Sequence, residues 1–421
     1  MKSDHDWRTA LNNPRVVAAM TLGFASGLPF NLPDSTLQAW AATVGIDLNT
    51  IGWLTMVTMP YTFKFLWAPA MDRFAPPFLG RRRGWILLLQ LATAGAIATL
   101  AMNPLDQHIY AAATLALLIA FLSASQDVVI DAYRTDTLRI EERGMGSAMT
   151  QVGYRSGALL SGAIALMLSE WIGWRSTYLL MAVVMGATAV ATLAAPEPEK
   201  TVIPPRTLAE AVVGPLRSFF IRDGAWLLLG LVVLYKIGDA FALKLLTTFL
   251  ISGIGFTAGE VGLYSKTTLV VSTLAGTLVG GAALTKMPLY RALMVFGILQ
   301  AVTNLAYAVL AGVGKDVLML VLAVGFDNFI GGMGAVAFVA FIMALCEQRF
   351  SAAQYALLSS LAAVPRTFLG PLAAFVAASI GWAGLFVVTF FAAFPGLLLL
   401  WLMRARIAAL DPRGSNCSRS N

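Results

Sequence analysis

Twelve runs of about 20 mainly apolar residues, separated by polar or glycine- and proline-bearing turns, fill this chain. Each is long enough to cross the hydrocarbon of a bilayer. They fall near 16–40, 50–71, 84–102, 109–137, 145–168 and 174–195, then near 224–251, 260–284, 289–312, 316–346, 352–378 and 382–405. Of the 421 residues 58% are hydrophobic and 12% charged, about half the charge of an ordinary soluble domain. The expected fold class is therefore an all-α membrane protein with twelve transmembrane helices.

Twelve crossings put both termini on one side. Met1–Arg15, Arg73–Arg83, Arg134–Arg143, Lys200–Arg222, Lys286–Arg291 and Arg404–Arg419 then share that side, while Arg175 and Lys315 stand opposite. Lys and Arg gather in cytoplasmic loops, so both termini are expected in the cytoplasm. The net charge of +7 thus reports topology, and no nucleic-acid partner is expected. Met1–Arg15 is polar and the run after it too long for a cleavable signal. His5, His108, Cys346 and Cys417 form no ligand cluster, so neither metal nor cofactor is expected. No catalytic signature such as G-x-S-x-G or a phosphate loop is present, so an enzyme is not expected.

A repeat relates the two halves. GIDLNTIG at 45–52 matches GIGFTAGEVG at 253–262; EERGMGSA at 141–148 matches EQRFSAAQ at 347–354; IGW recurs at 172–174 and 380–382. The offsets stay between 206 and 210. Two pseudo-symmetric six-helix halves are the plan of carriers that rock about a central site. The expected divisions are a cytoplasmic segment 1–15, a half 16–195, a linker 196–223, a half 224–405 and a tail 406–421. PEPEKTVIPPR opens the linker, and Thr207 with Glu210 predicts a capped surface helix.

An ionised carboxylate inside a span costs at least about 2.5 kcal/mol, so it normally faces a partner or water. SASQDVVIDAYRTD at 123–136 carries Asp127 and Asp131 on one helix face. Asp127 lies 14 residues before Glu141 and Arg155 lies 14 after it. Equal distances from a hairpin turn mean similar depth, which predicts that Asp127 and Arg155 face one another or share a watery pocket. Asp327 and Arg366 stand likewise about Glu347. A static pin between helices and a protonation switch are both open readings. Asp131 is placed to receive a proton from Asp127, with Arg134, Asp136 and Arg143 at the cytoplasmic mouth.

Asn31, Asp34, Ser35 and Gln38 line one face of span one, where Pro29 and Pro33 interrupt the helix. Such breaks are tolerated chiefly beside a cavity. Trp40 reads as an interfacial anchor or a sugar platform. Span seven carries Lys236, Asp239, Lys244 and Thr247, with Lys244 near the repeat equivalent of Asp34. Lys64, Lys236, Lys244, Lys266 and Arg366 are candidate anion-binding groups; for Lys64 and Lys266, snorkelling to a membrane surface is the alternative. Gln126, Asn31, Gln38 and Asn304 are candidates for hydroxyls and amides.

MDRFAPPFLGRRRG at 71–84 sits where the major facilitator superfamily carries a Gly/Asp/Arg gating loop, which points to Asp72 and Arg73 as gating residues. Together with GLPFNLPDSTLQAW, PYTFKFLWAPAMDRF, SASQDVVIDAYRTD and EERGMGSAMTQVGYRSG, it resembles the AmpG family of muropeptide permeases. The resemblance covers most of the first half by motif and the second mainly by organisation. It implies a major facilitator fold and proton-driven uptake of N-acetylglucosaminyl-1,6-anhydro-N-acetylmuramyl peptides across the bacterial inner membrane, for cell-wall recycling. The implied partners are muropeptide, protons and membrane lipid, with a monomer expected. Some members carry two further spans, for which 421 residues leave no room. By this reading Asp127, or Asp34, takes a proton while the basic groups, Asp239 and Asp327 contact substrate. A carrier for another large anion, such as an acyl-coenzyme A, is the alternative.

Overall fold

The computed structural model describes residues 13–68, 71, 74, 76–103, 105, 107–138, 143–196, 220–221, 224–345 and 351–410. Among the described residues, eight helical stretches are long and apolar enough to cross a membrane. Two of them, Met149–Ala194 and Leu358–Leu402, bend at Gly173 and Gly381 and each supplies two crossings. Spans one and two complete the twelve in shorter pieces. Span one comprises Pro14–Gly27 and Ser35–Thr43, interrupted where Pro29 and Pro33 predicted a break. Span two comprises Leu48–Leu54 and Met59–Phe63 with 3-10 turns at Thr55–Thr58 and Lys64–Leu66. Pro60 stands in the first turn of Met59–Phe63, where its missing N–H leaves no helical bond unmade.

Spans three and four are Arg81–Met102 and Ile109–Thr137. Span five begins at Arg143, widens to a π-turn at Leu160–Ile164, and runs to the Gly173 bend; span six ends at Ala194. Span seven is broken into Ala225–Leu234, Ile237–Lys244, Leu246–Thr248 and a π-turn at Phe249–Ile254. Its central breaks lack a proline, so periodicity alone did not predict them. Span eight starts at a Thr257–Glu260 capping box, widens at Val261–Lys266 and continues as Thr267–Lys286. Spans nine and ten are Leu289–Val313 and Val317–Leu345. Span eleven starts at Ser351, and span twelve follows Gly381 into Phe394–Leu402.

The sequence repeat is a repeat of backbone chemistry. Gly45 and Gly255 both take positive φ, and two residues on Asp47 and Thr257 each cap the next helix, accepting from the N–H of Thr50 and Glu260. The Thr50 side chain and then its N–H hold the Asp47 carboxyl below the usual carboxylate range. Trp40 stacks on Trp174, with Tyr178 beside both. At offsets of 208 or 209, Phe249 packs against Trp382 and Phe386. Trp40 is buried, so its stacking partner is another indole of the same half.

The chain forms two compact units, Met1–Ile46 with Val57–Pro204, and Asp47–Met56 with Pro205–Asn421. In the first, span five packs chiefly on span one and span four on span three. Spans one and five cross on glycine. A Cβ on Gly27 would strike the Tyr154 carbonyl, and one on Gly157 the Phe24 carbonyl. Gly23 with Gly27, and Gly153 with Gly157, are small-xxx-small pairs that let backbones approach this closely. In the second unit span eight packs on span ten, and span seven on the bent helix that carries spans eleven and twelve. An apolar cluster there includes Leu231, Phe296, Phe341 and Leu400.

Candidate functional site

In the first unit, the chemistry gathers where spans one, two and four meet. Asp127 accepts a hydrogen bond from Ser26 Oγ, and Lys64 Nζ stands 3.9 Å from its Oδ2. Gln126 Nε2 donates to the Ala25 carbonyl at 2.8 Å, while its Oε1 is buried without a partner among the described residues. Trp67 Nε1 donates to Ser125 Oγ at 2.9 Å. Span four thus presents successive polar residues to two neighbouring helices.

The break in span one is held from span five. Asn31 Nδ2 donates to the Ala158 carbonyl at 2.7 Å, and Thr36 Oγ1 to the Ser161 carbonyl at 2.6 Å. Tyr178 Oη reaches the Leu32 carbonyl at 2.9 Å. Within the break Ser35 Oγ donates to Asn31 Oδ1 and Gln38 Nε2 to Asp34 Oδ1, so the polar face read from spacing exists. At the far end of span four, Arg82 Nε donates to Asp136 Oδ2 at 2.8 Å, with both side chains about nine-tenths buried. Arg83 reaches the Thr192 and Leu193 carbonyls at the end of span six, where cationic donors satisfy orphan carbonyls.

In the second unit, a small cavity is lined by Lys236, Asp239, Gln300 and Asn304 among others. Lys236 Nζ pairs with Asp239 at 3.4 Å and sits 5.7 Å above the Phe338 ring. Asn304 Nδ2 donates to the Gly238 carbonyl, while its Oδ1 is buried without a partner among the described residues. Behind the cavity, Asp327 is fully buried. It accepts from Gln300 Nε2 at 2.6 Å, Thr303 Oγ1 at 2.9 Å and Tyr307 Oη at 3.0 Å. Lys244 is buried near the second break in span seven, and Lys266 Nζ donates to Thr247 Oγ1 at 3.2 Å.

A model of the Major Facilitator Superfamily matches residues 19–366. Anhydromuropeptide permease of Escherichia coli is 50% identical over 392 residues, which are 93% of this chain and 80% of that protein. The chain belongs to the AmpG family of the major facilitator superfamily. Putative transporter AmpG 4 of Rickettsia conorii is 30% identical over 403 residues, 93% of this chain and 97% of that one. Among solved structures, a peptide transporter POT in complex with sulfate superposes with TM-score 0.74 at 15% identity, covering 94% of this chain and 95% of that one. A bacterial homologue of the lysosomal transporter Spinster gives 0.68 at 13% identity, covering 98% and 99%. These structural likenesses concern the fold. Membership makes the chain a multi-pass membrane transporter rather than an enzyme.

Several expected contacts take other partners in this AmpG-family chain. Asp127 pairs with Lys64, and Arg155 is exposed. Equal depth along a hairpin does not fix rotation about each helix, and the glycine face of span five lies on span one. Asp327 is bonded by neutral donors from span nine, while Arg366 is exposed. Asp327 is fully buried and stands behind the residues that line the cavity. Asp131 is 60% exposed and pairs with Arg134 at 3.3 Å. Sequence reasoning did not single out Arg82; its signal was Asp136, an acid one helix away at the cytoplasmic mouth. Asp72, Arg73, Thr207 and Glu210 lie outside the described residues, as does the Arg143 side chain.

Proposed function

We propose that this chain is a proton-coupled symporter that imports N-acetylglucosaminyl-1,6-anhydro-N-acetylmuramyl peptides across the bacterial inner membrane by alternating access. The observation that carries the reading is the 50% identity to the Escherichia coli anhydromuropeptide permease across 93% of the chain. The geometry supports it. Muropeptides bear carboxylates, hydroxyls and amides; Lys236, Asn304 and Gln300 present one cation and several amide atoms to a single cavity. Lys64 offers a second cation, already shared with Asp127. Protonating Asp127 releases Lys64 from that pair, so a proton and a substrate carboxylate arrive together. The basic loops favour cytoplasmic termini, and a single chain is the proposed working unit.

The test is uptake of labelled anhydromuropeptide into right-side-out vesicles, with and without a protonophore, for wild type and Asp127→Asn. Wild-type uptake is expected to collapse with the protonophore and the variant to lose uphill uptake. Protonophore-insensitive accumulation would remove proton coupling from the reading. No uptake of any muropeptide by folded protein would remove the substrate.

A further inference from the structure

Gln300 holds two carboxylates with one amide. Its Nε2 donates to Asp327 Oδ1 at 2.6 Å and reaches Asp239 Oδ1 at 3.4 Å. Asp239 is in turn the counter-ion of Lys236 in the cavity. A continuous chain of contacts therefore runs from a cation open to ligand, through Asp239 and Gln300, to a fully buried acid. Among the described residues no basic side chain touches Asp327; its partners are Gln300, Thr303 and Tyr307 from span nine, and the charges nearest it are Asp239 and Lys236 from span seven.

The Thr303 hydroxyl is the informative group. It lies 2.8 Å from the Gln300 carbonyl and 2.9 Å from Asp327 Oδ1, yet a hydroxyl has one proton to give. Donating to Asp327 suits a carboxylate. Donating to the Gln300 carbonyl leaves oxygen lone pairs facing Asp327, which suits a carboxylic acid that donates in return. One rotation of Thr303 thus satisfies either state of Asp327 without moving a helix.

We propose that Asp327 is a second proton-binding group, and that Gln300 is the positioning residue linking it to anion binding at Lys236. This rests on the reading of the chain as a muropeptide carrier. When a substrate carboxylate docks on Lys236, Asp239 loses part of its counter-charge. Two neighbouring carboxylates sharing one amide then carry uncompensated negative charge, which a proton on Asp327 relieves. Anion and proton each strengthen the other's binding, and the coupling is reciprocal. Phe338 keeps Lys236 in place through its ring face while Asp239 is released.

The experiment uses full-length protein in nanodiscs and N-acetylglucosaminyl-1,6-anhydro-N-acetylmuramyl tripeptide as probe, with affinity measured from acid to alkaline pH. Each linked proton changes affinity by up to about tenfold per pH unit. Asp327→Asn is expected to bind the probe but with a slope about one proton shallower; Gln300→Met is expected to bind with an intermediate slope. A wild-type slope in Asp327→Asn overturns the proposal. Lost binding with unchanged thermal melting also overturns it, because Asp327 would then be a substrate contact. If wild type binds no muropeptide, the carrier reading fails by itself, and pH-difference infrared spectra still decide the proton site. A protonated-carboxyl band that disappears in Asp327→Asn supports it; identical spectra overturn it.

Discussion

Gly173 and Gly381, 208 positions apart, hold the same backbone conformation, φ 75° and ψ 163° at one and φ 78° and ψ 172° at the other. Each turns one span into the next inside an IGW triplet. Side-chain-bearing residues reach this region only with strain of about 1–3 kcal/mol. No atom lies within 4 Å of a Cβ added at either site, so backbone strain is the whole cost. Gly173→Ala and Gly381→Ala are each expected to lower thermal stability by that amount. Gly95→Ala, also in open space but mid-helix, is expected to be neutral or stabilising. Equal melting of all three in detergent would sink the argument.

Gly157 makes a different demand. An added methyl would meet the Phe24 carbonyl, with Leu28 N at 2.7 Å. Both are backbone atoms of span one, so relief requires separating the helices. Gly157→Ala is expected to cost about 3 kcal/mol or more. Gly186→Ala, whose added atom meets only Ala94 Cβ at 3.9 Å, is expected to melt close to wild type. Similar melting of the two variants would contradict the close crossing.

The twelve crossings and the repeat were legible because both are one-dimensional properties, length of apolar run and spacing of turn residues. Pro29 and Pro33 announced the break in span one for the same reason. Side-chain partners were not legible. Hairpin counting sets depth, whereas the partner of Asp127 depends on which helix lies beside span four and how it is rotated. The glycines at 23, 27, 153 and 157 carried that information, since paired small residues mark the crossing. Read as a pair, they would have put span one against span five and left Arg155 without a carboxylate. Thr303 and Tyr307 gave no signal, because neutral hydroxyls in a membrane helix are unremarkable until an acid is found beside them.

Arg82 and Asp136 form a buried ion pair between spans three and four. Removing one partner strands a charge, at a cost of about 3–5 kcal/mol, while removing both costs much less. Arg82→Met and Asp136→Leu are therefore each expected to lower melting sharply, and the double variant to recover part of the loss. A double-mutant cycle reads the coupling directly. Additive losses would mean that the two side chains act independently.

Lys64 and Asp127 give the remaining prediction, and its sign follows from charge. Lys64 stabilises Asp127 only while the carboxyl is ionised. Among the described residues, Lys64→Met leaves an ionised Asp127 with the Ser26 hydrogen bond and no ion-pair partner, whereas a protonated Asp127 is unaffected. The stability lost in Lys64→Met is therefore expected to be largest in alkaline buffer and to shrink on acidification. Lys64 is one-third exposed, so water screens the pair and the full effect is about 1–2 kcal/mol rather than the larger cost of a sealed pair. Adding Asp127→Asn to Lys64→Met is expected to remove the pH dependence. Melting curves at acid and alkaline pH for wild type, the single variants and the double variant measure this. A loss in Lys64→Met that is constant with pH would show that Lys64 stabilises the fold by packing its stem, not by pairing with Asp127.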